Sequence, residues 1–310
     1  MIIDIVIIIL GIIVVLFGAD RLTDGSVGLA EKMNVPQIVI GLTIVAMGTS
    51  MPEFFVSFVS ALKGTPDLAV GNIVGSNIFN GLLIVGVAAI VAPMTISKAT
   101  VTKDIPFAVI ASCMLFGLGF DGTLSRVDCG ILFLVFCLFM AYTLHMAKSG
   151  QAEENTNGKK PMKVWKSVLF ILIGLVCLIF GSDIFVEKAS ELASQLGVSD
   201  AIIGLTIVAG GTSLPELATS VVASRKGNSA IAIGNVIGSN VFNILFILGI
   251  TGLVHPMEIA GITWLDYAVM VVSMFLLWLF SFTKLKIEKW EGVLLFITYI
   301  AYVTYLVINA

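Results

Sequence analysis

The chain has 310 residues, 58% of them apolar and only 12% charged, with a formal net charge of −3. An average soluble protein is roughly 45–50% apolar with glycine counted and about 25% charged. So few charges cannot clothe a water-facing surface, and they leave no basic footprint for nucleic acid. The composition therefore predicts an all-α polytopic membrane protein.

Hydropathy predicts ten spans, near 2–19, 36–60, 68–92, 105–120, 127–146, 164–182, 201–224, 229–254, 262–282 and 290–308. Each is close to the ~20 residues that cross roughly 30 Å of hydrocarbon. The one long polar connector, 147–163, carries Gln151, Glu153, Glu154, Asn155, Asn157, Lys159 and Lys160. It divides the chain into an N-terminal five-helix half, 1–146, and a C-terminal one, 164–310. Of the 17 Lys and Arg residues, all but Lys63, Arg126 and Lys188 fall in the loops after the odd-numbered spans, in the connector or, for Lys166, just beyond its end. Positive charge marks the cytoplasmic side, so both termini are expected outside and the connector in the cytoplasm of a plasma (inner) membrane protein. Trp165, Trp264 and Trp290 stand near span ends, as an aromatic belt requires. Cys113, Cys129, Cys137 and Cys177 have no metal-type spacing and read as small buried apolar residues, not a disulfide frame or a zinc site.

The halves repeat. Residues 37–80 and 200–243 align without a gap at an offset of 163, with 24 identities in 44 positions. Because each half has five spans, the second copy enters the membrane from the opposite side. The expectation is a pair of inverted-topology repeats, an arrangement that places a transport site at the midplane between them.

Most identities are polar or small. Gly48-Thr49-Ser50-Met51-Pro52-Glu53 matches Gly211-Thr212-Ser213-Leu214-Pro215-Glu216. A mid-membrane charge costs at least ~2.5–3.5 kcal/mol, so Glu53 and Glu216 need a partner or a function. Apart from Lys166 in the first turn of the sixth span, no span contains a Lys or Arg to pair them, which leaves a bound cation or protonation as the balancing charge. Each proline removes a helical N–H and frees a carbonyl, so carbonyls of Ala46, Thr49, Ala209 and Thr212 can turn towards an ion. Broken backbone at this depth is tolerated where it lines a cavity or is buried in protein. In the third span Asn72, Ser76 and Asn80 share one helical face at i, i+4, i+8, as do Asn235, Ser239 and Asn243 in the eighth. Ser76, Asn80, Ser239 and Asn243 read as ligands. Asn72, Asn77, Asn235 and Asn240 read either as ligands or as helix–helix glue. The donor set is all oxygen, which suits hard cations such as Ca²⁺ rather than metals that want Cys or His.

These motifs resemble the calcium/cation antiporter family, and within it the sodium/calcium exchangers of prokaryotic type. The resemblance covers the whole chain and is most specific in G-T-S-x-P-E and G-N-x-x-G-S-N-x-F-N. It implies a non-enzyme that moves Ca²⁺ and Na⁺ through the lipid bilayer with no cofactor. It implies that Glu53, Glu216 and the carbonyls of Thr49 and Thr212 hold Ca²⁺. Na⁺ would use Ser50, Ser76, Ser213, Ser239, the same glutamates and the carbonyls of Ala46 and Ala209, while Asn80 and Asn243 line the central position. Potassium-dependent relatives typically carry Asp where this chain has Asn243, and proton/calcium exchangers a second acidic residue in the G-N motif. Na⁺ is therefore the expected driving ion, with proton-coupled or potassium-dependent exchange as alternatives. A cation channel usually forms around an oligomeric pore, and an intramembrane hydrolase would need an asymmetric nucleophile–base or metal–histidine set. The symmetric duplication of one Gly-Thr-Ser-x-Pro-Glu motif favours an exchanger over both.

Overall fold

The structure is a computed structural model, and it describes residues 2–149, 162–196 and 209–309. The helices are α1 Ile2–Met33, α2 Gln37–Thr49, α3 Met51–Leu62, α4 Pro66–Val91, α5 Thr100–Leu118, α6 Arg126–Ser149, α7 Val164–Gln195, α8 Ala209–Thr212, α9 Leu214–Arg225, α10 Ser229–Val254, α11 Trp264–Ser281 and α12 Lys289–Asn309. Among the described residues, eight helices are long and apolar enough to cross a membrane, and nine spans result if α2 and α3 count as one. The start of the predicted seventh span (201–208) and most of the connector lie outside the described residues. The described residues are otherwise short connections and two-residue strands. Met94–Thr95 (β1) pairs with Lys286–Ile287 (β4), and Thr123–Leu124 (β2) with Met257–Glu258 (β3), both antiparallel.

α1 and α7 are each 32 residues long, far beyond the predicted 2–19 and 164–182. At 1.5 Å per residue that is about 48 Å, more than the hydrocarbon needs. Charges at Asp20, Arg21 and Asp24 end the apolar run without breaking the helix. α1 stops only where Asn34 adopts φ 54° and Val35 N–H returns to the Ala30 carbonyl at 3.0 Å, a left-handed cap followed by Pro36. Gly64 and Gly227 close α3 and α9 in the same manner, with φ of +75° and +78°.

α4 and α10 are the most enclosed long helices, whereas α1, α6, α7 and α12 turn most of their surface outward. That ordering follows from sequence: the outward helices are apolar all round, and the enclosed pair carries the polar motifs. α1 packs along α7 through glycines. A Cβ at Gly18 would lie 2.8 Å from the Gly174 carbonyl oxygen, so only small residues allow this approach. α10 crosses α2 as closely, since a Cβ at Gly238 would lie 2.7 Å from Leu42 Cα and from Ala46 Cβ. Trp165, Trp264 and Trp290 are exposed, as an interfacial belt requires. Of the cysteines only Cys129 is fully buried, while Cys113 and Cys137 lie on outward faces. The expected burial therefore fails for Cys113 and Cys137, because an outward face in a bilayer is apolar too and holds a small apolar residue without enclosing it. The span-end acids act locally: Lys226 contacts Asp20 and Asp24 at 2.6 Å each, Asp67 accepts the Ala260 and Gly261 N–H groups at 2.8 Å, and Asp266 closes a capping box with Thr263.

Candidate cation-binding site

The two prolines do more than kink their helices. Ser50, at φ −83° and ψ 10°, separates α2 from α3, whose axes differ by 48°. Ser213, at φ −90° and ψ 8°, separates α8 from α9. Pro52 and Pro215 occupy the first turn of α3 and α9, where a missing N–H costs nothing. Glu53 and Glu216 therefore lie in the first turn of a new helix rather than in the middle of a continuous one. There the free N–H groups and the helix dipole favour negative charge, and transporter sites use discontinuous helices in this manner.

Both carboxylates are enclosed, Glu53 at 0% exposure and Glu216 at 1%. Each accepts a hydrogen bond from the serine of the other copy. Ser50 Oγ donates to Glu216 Oε1 at 2.8 Å, and Ser213 Oγ donates to Glu53 Oε1 at 2.9 Å. Ser76 Oγ lies 3.1 Å from Ser213 Oγ and 3.4 Å from Glu53 Oε1. The second oxygen of each carboxylate is buried and without a hydrogen-bond partner among the described residues. So are Asn80 Oδ1, Asn243 Oδ1 and Ser239 Oγ. Five buried oxygens thus keep free lone pairs, two of them anionic, and all are of the donor type that a hard cation takes. Left without one, each would carry a full desolvation cost.

The backbone on either side is wound wide. Gly41–Val45 in α2, Phe79–Ile84 in α4 and Phe242–Leu248 in α10 are π-helical. The last two begin at matched positions and contain Asn80 and Asn243. Such segments inside α-helices occur frequently at functional sites.

Thr49 is fully buried, its Oγ1 3.1 Å from Asn235 Oδ1 and 3.3 Å from the Ala46 carbonyl. That carbonyl also accepts the Ser50 N–H at 3.0 Å. Ala46 is thus the predicted ligand whose carbonyl is already engaged twice. Thr212 is partly exposed, and Ala209 opens α8, its side chain outside the described residues.

Asn72 and Asn235, read from sequence as ligands or glue, turn out to be braces. Asn72 Nδ2 donates to the Glu53 carbonyl at 3.2 Å and to Ser57 Oγ at 3.0 Å. Asn235 Nδ2 donates to the Glu216 carbonyl at 3.3 Å and to Ser220 Oγ at 3.0 Å. Ser57 and Ser220 escaped the sequence reading. Their signal is there nonetheless: both are identities of the repeat, four residues after the glutamates, and so on the same helical face.

A model of the sodium/calcium exchanger protein family matches residues 3–145 and again residues 166–308. Both limits of the two matches differ by 163, the offset of the internal repeat. The chain is 36% identical over 273 residues to the inner membrane protein YrbG of Escherichia coli, covering 85% of this chain and 84% of that one. It is 31% identical to the sodium/calcium exchanger MaX1 of Methanosarcina acetivorans, covering 98% of each chain. Its fold superimposes on the solved sodium-calcium exchanger NCX_Mj with a TM-score of 0.85 and 33% identity, covering 98% of each chain. A helical membrane fold, a duplicated sequence and an enclosed oxygen donor set meet in one conclusion: the chain belongs to the sodium/calcium exchanger family, a family of transmembrane antiporters.

Proposed function

We propose that this chain exchanges Na⁺ for Ca²⁺ across the plasma (inner) membrane by alternating access. In this reading ten spans form two inverted five-helix repeats, 1–146 and 164–310, joined by a cytoplasmic linker at 147–163, with both termini outside. Glu53 and Glu216 bring two negative charges, which suit one Ca²⁺ or two or more Na⁺ aided by neutral dipoles, and the carbonyls of Thr49 and Thr212 complete the Ca²⁺ shell. Ser50, Ser213, Ser76 and Ser239, with the carbonyls of Ala46 and Ala209, supply the neutral dipoles for Na⁺. Asn80 and Asn243 face the central position. The observation that carries the reading is the set of buried oxygens, two of them carboxylate, without partners among the described residues.

Exchange follows from the electrostatics. A doubly anionic enclosed site is costly when empty, because two buried like charges face each other in low dielectric. Either cation load offsets that charge. Crossing between the two access states is therefore easy only when loaded, and this couples the two fluxes. The asparagines at 80 and 243 add no charge, so nothing in the site is left over to hold K⁺ beside Ca²⁺. The test is trans-ion dependence in proteoliposomes. Ca²⁺ entry should require a counter-cation inside, and an equal Ca²⁺ flux into vesicles with no internal exchangeable cation would replace exchanger by channel.

A further inference from the structure

We propose that Asn77 and Asn240 are crossed positioning residues, each holding a carboxamide of the other repeat with its oxygen turned into the cation site. The proposal rests on the cation-site reading above and adds to it what fixes the polarity of the two neutral ligands. A carboxamide has two nearly isosteric ends, an acceptor oxygen and a donor NH₂. Asn80 and Asn243 can ligate a cation only with the oxygen forward. The reversed rotamer would aim two N–H donors at a positive charge.

The surroundings decide between the two orientations. Asn80 Nδ2 donates to Asn240 Oδ1 at 2.9 Å, and Asn243 Nδ2 donates to Asn77 Oδ1 at 3.1 Å. Each bond crosses from one copy of the repeat to the other. With its NH₂ held, each ligand presents its oxygen to the site. Those two oxygens, Asn80 Oδ1 and Asn243 Oδ1, are buried and without partners among the described residues.

The holders need an orientation of their own, and α11 supplies it. Asn240 Nδ2 donates to Met274 Sδ at 2.9 Å and to the Asn77 carbonyl at 3.3 Å. Asn77 Nδ2 points to Met270 Sδ at 3.9 Å. A thioether only accepts, so turning either holder round would set a carbonyl oxygen against sulfur. All four side chains, Asn77, Asn240, Met270 and Met274, are fully buried. The methionines have no counterparts in the first half, where offset positions 107 and 111 are Phe107 and Ala111. One helix thus sets the polarity for both crossed pairs.

Helix–helix glue is the competing account of these asparagines, and it predicts lost stability rather than altered binding. The discriminating experiment is a double-mutant cycle on the full chain in detergent. Apparent Na⁺ and Ca²⁺ affinities are read from cation-dependent thermal stabilisation and from exchange in proteoliposomes. Asn240→Ala should weaken Na⁺ about tenfold and Ca²⁺ less, because the glutamate charges dominate Ca²⁺ binding. In an Asn80→Ala background, Asn240→Ala should add nothing. In an Asn243→Ala background it should act in full. Met274→Leu, which keeps the volume and removes the acceptor, should shift Na⁺ affinity two- to fivefold in the same direction. Additive effects of Asn80→Ala and Asn240→Ala, or a lowered melting temperature with unchanged cation affinities, would overturn the positioning role and leave the site standing. Unchanged cation affinities in Asn80→Ala itself would overturn both the site assignment and the proposal.

Discussion

Glu53→Gln isolates the charge from the shape of the site. The side-chain oxygen of Gln can still accept the hydroxyl of Ser213, which lies 2.9 Å from Oε1. The oxygen without a partner, Oε2, becomes an NH₂, and an acceptor aimed at the cation turns into a donor. Removing one partner from a buried charge pair costs about 3–5 kcal/mol. At about 1.4 kcal/mol per factor of ten, Ca²⁺ affinity falls about 100-fold or more. The assay is thermal unfolding of the purified protein with and without Ca²⁺. A ligand at 100 times its dissociation constant stabilises by about 2.7 kcal/mol, and at its dissociation constant by only about 0.4 kcal/mol. The same Ca²⁺ concentration that stabilises the parent chain should therefore leave the variant almost unchanged. Without cations the variant should be at least as stable as the parent, because a buried charge has gone. Full Ca²⁺ stabilisation of a folded Glu53→Gln protein would refute the assignment of Glu53, and the same measurement applies to Glu216→Gln.

Ser76→Ala and Ser239→Ala should weaken the Na⁺ dependence of exchange more than its Ca²⁺ dependence, read as separate apparent KM values, because a hydroxyl is a neutral dipole and the glutamates carry the charge. Acid should inhibit exchange by raising the apparent KM for Ca²⁺ with Vmax unchanged, because protons and Ca²⁺ compete for the same two carboxylates; inhibition that saturating Ca²⁺ cannot relieve would contradict this. Gly238→Ala should lower the melting temperature and slow exchange, since its Cβ would meet Leu42 and Ala46 at 2.7 Å and overpacking costs about 1–3 kcal/mol; a variant as stable and active as the parent would show that the α2–α10 crossing can relax.

The repeat made much of the site legible in sequence. Identities at an offset of 163 pick out Ser50, Glu53, Ser76, Asn80 and their partners, and of these Ser50, Ser213, Ser76, Glu53 and Glu216 are joined by hydrogen bonds in the fold. Cross-copy bonds such as Ser50 to Glu216 and Ser213 to Glu53 join positions 166 and 160 residues apart, which no local pattern encodes. From sequence each proline frees a carbonyl in broken backbone; in the structure Pro52 and Pro215 also start new helices and so place each glutamate at a helix N-terminus. The break falls at Ser50 and Ser213, with ψ of 10° and 8°. The π-helical turns at Phe79 and Phe242 have no distinctive residues, so periodicity at 3.6 passes over them. The lengths of α1 and α7 were underestimated because hydropathy measures the apolar run, while a helix continues through Asp20 and Asp183 until a cap stops it. The roles of Asn77 and Asn240 depend on Met270 and Met274 from a distant helix, and a motif confined to α4 and α10 cannot contain them.

The most direct measurement is radiolabelled Ca²⁺ uptake into proteoliposomes loaded in turn with Na⁺, K⁺ or acid, each diluted into medium lacking that ion. The account predicts rapid uptake with an outward Na⁺ gradient and no K⁺ on either side, and uptake near background with K⁺ or acid inside. Uptake that ignored Na⁺ and followed the pH gradient would contradict it and assign the chain to proton/calcium exchange.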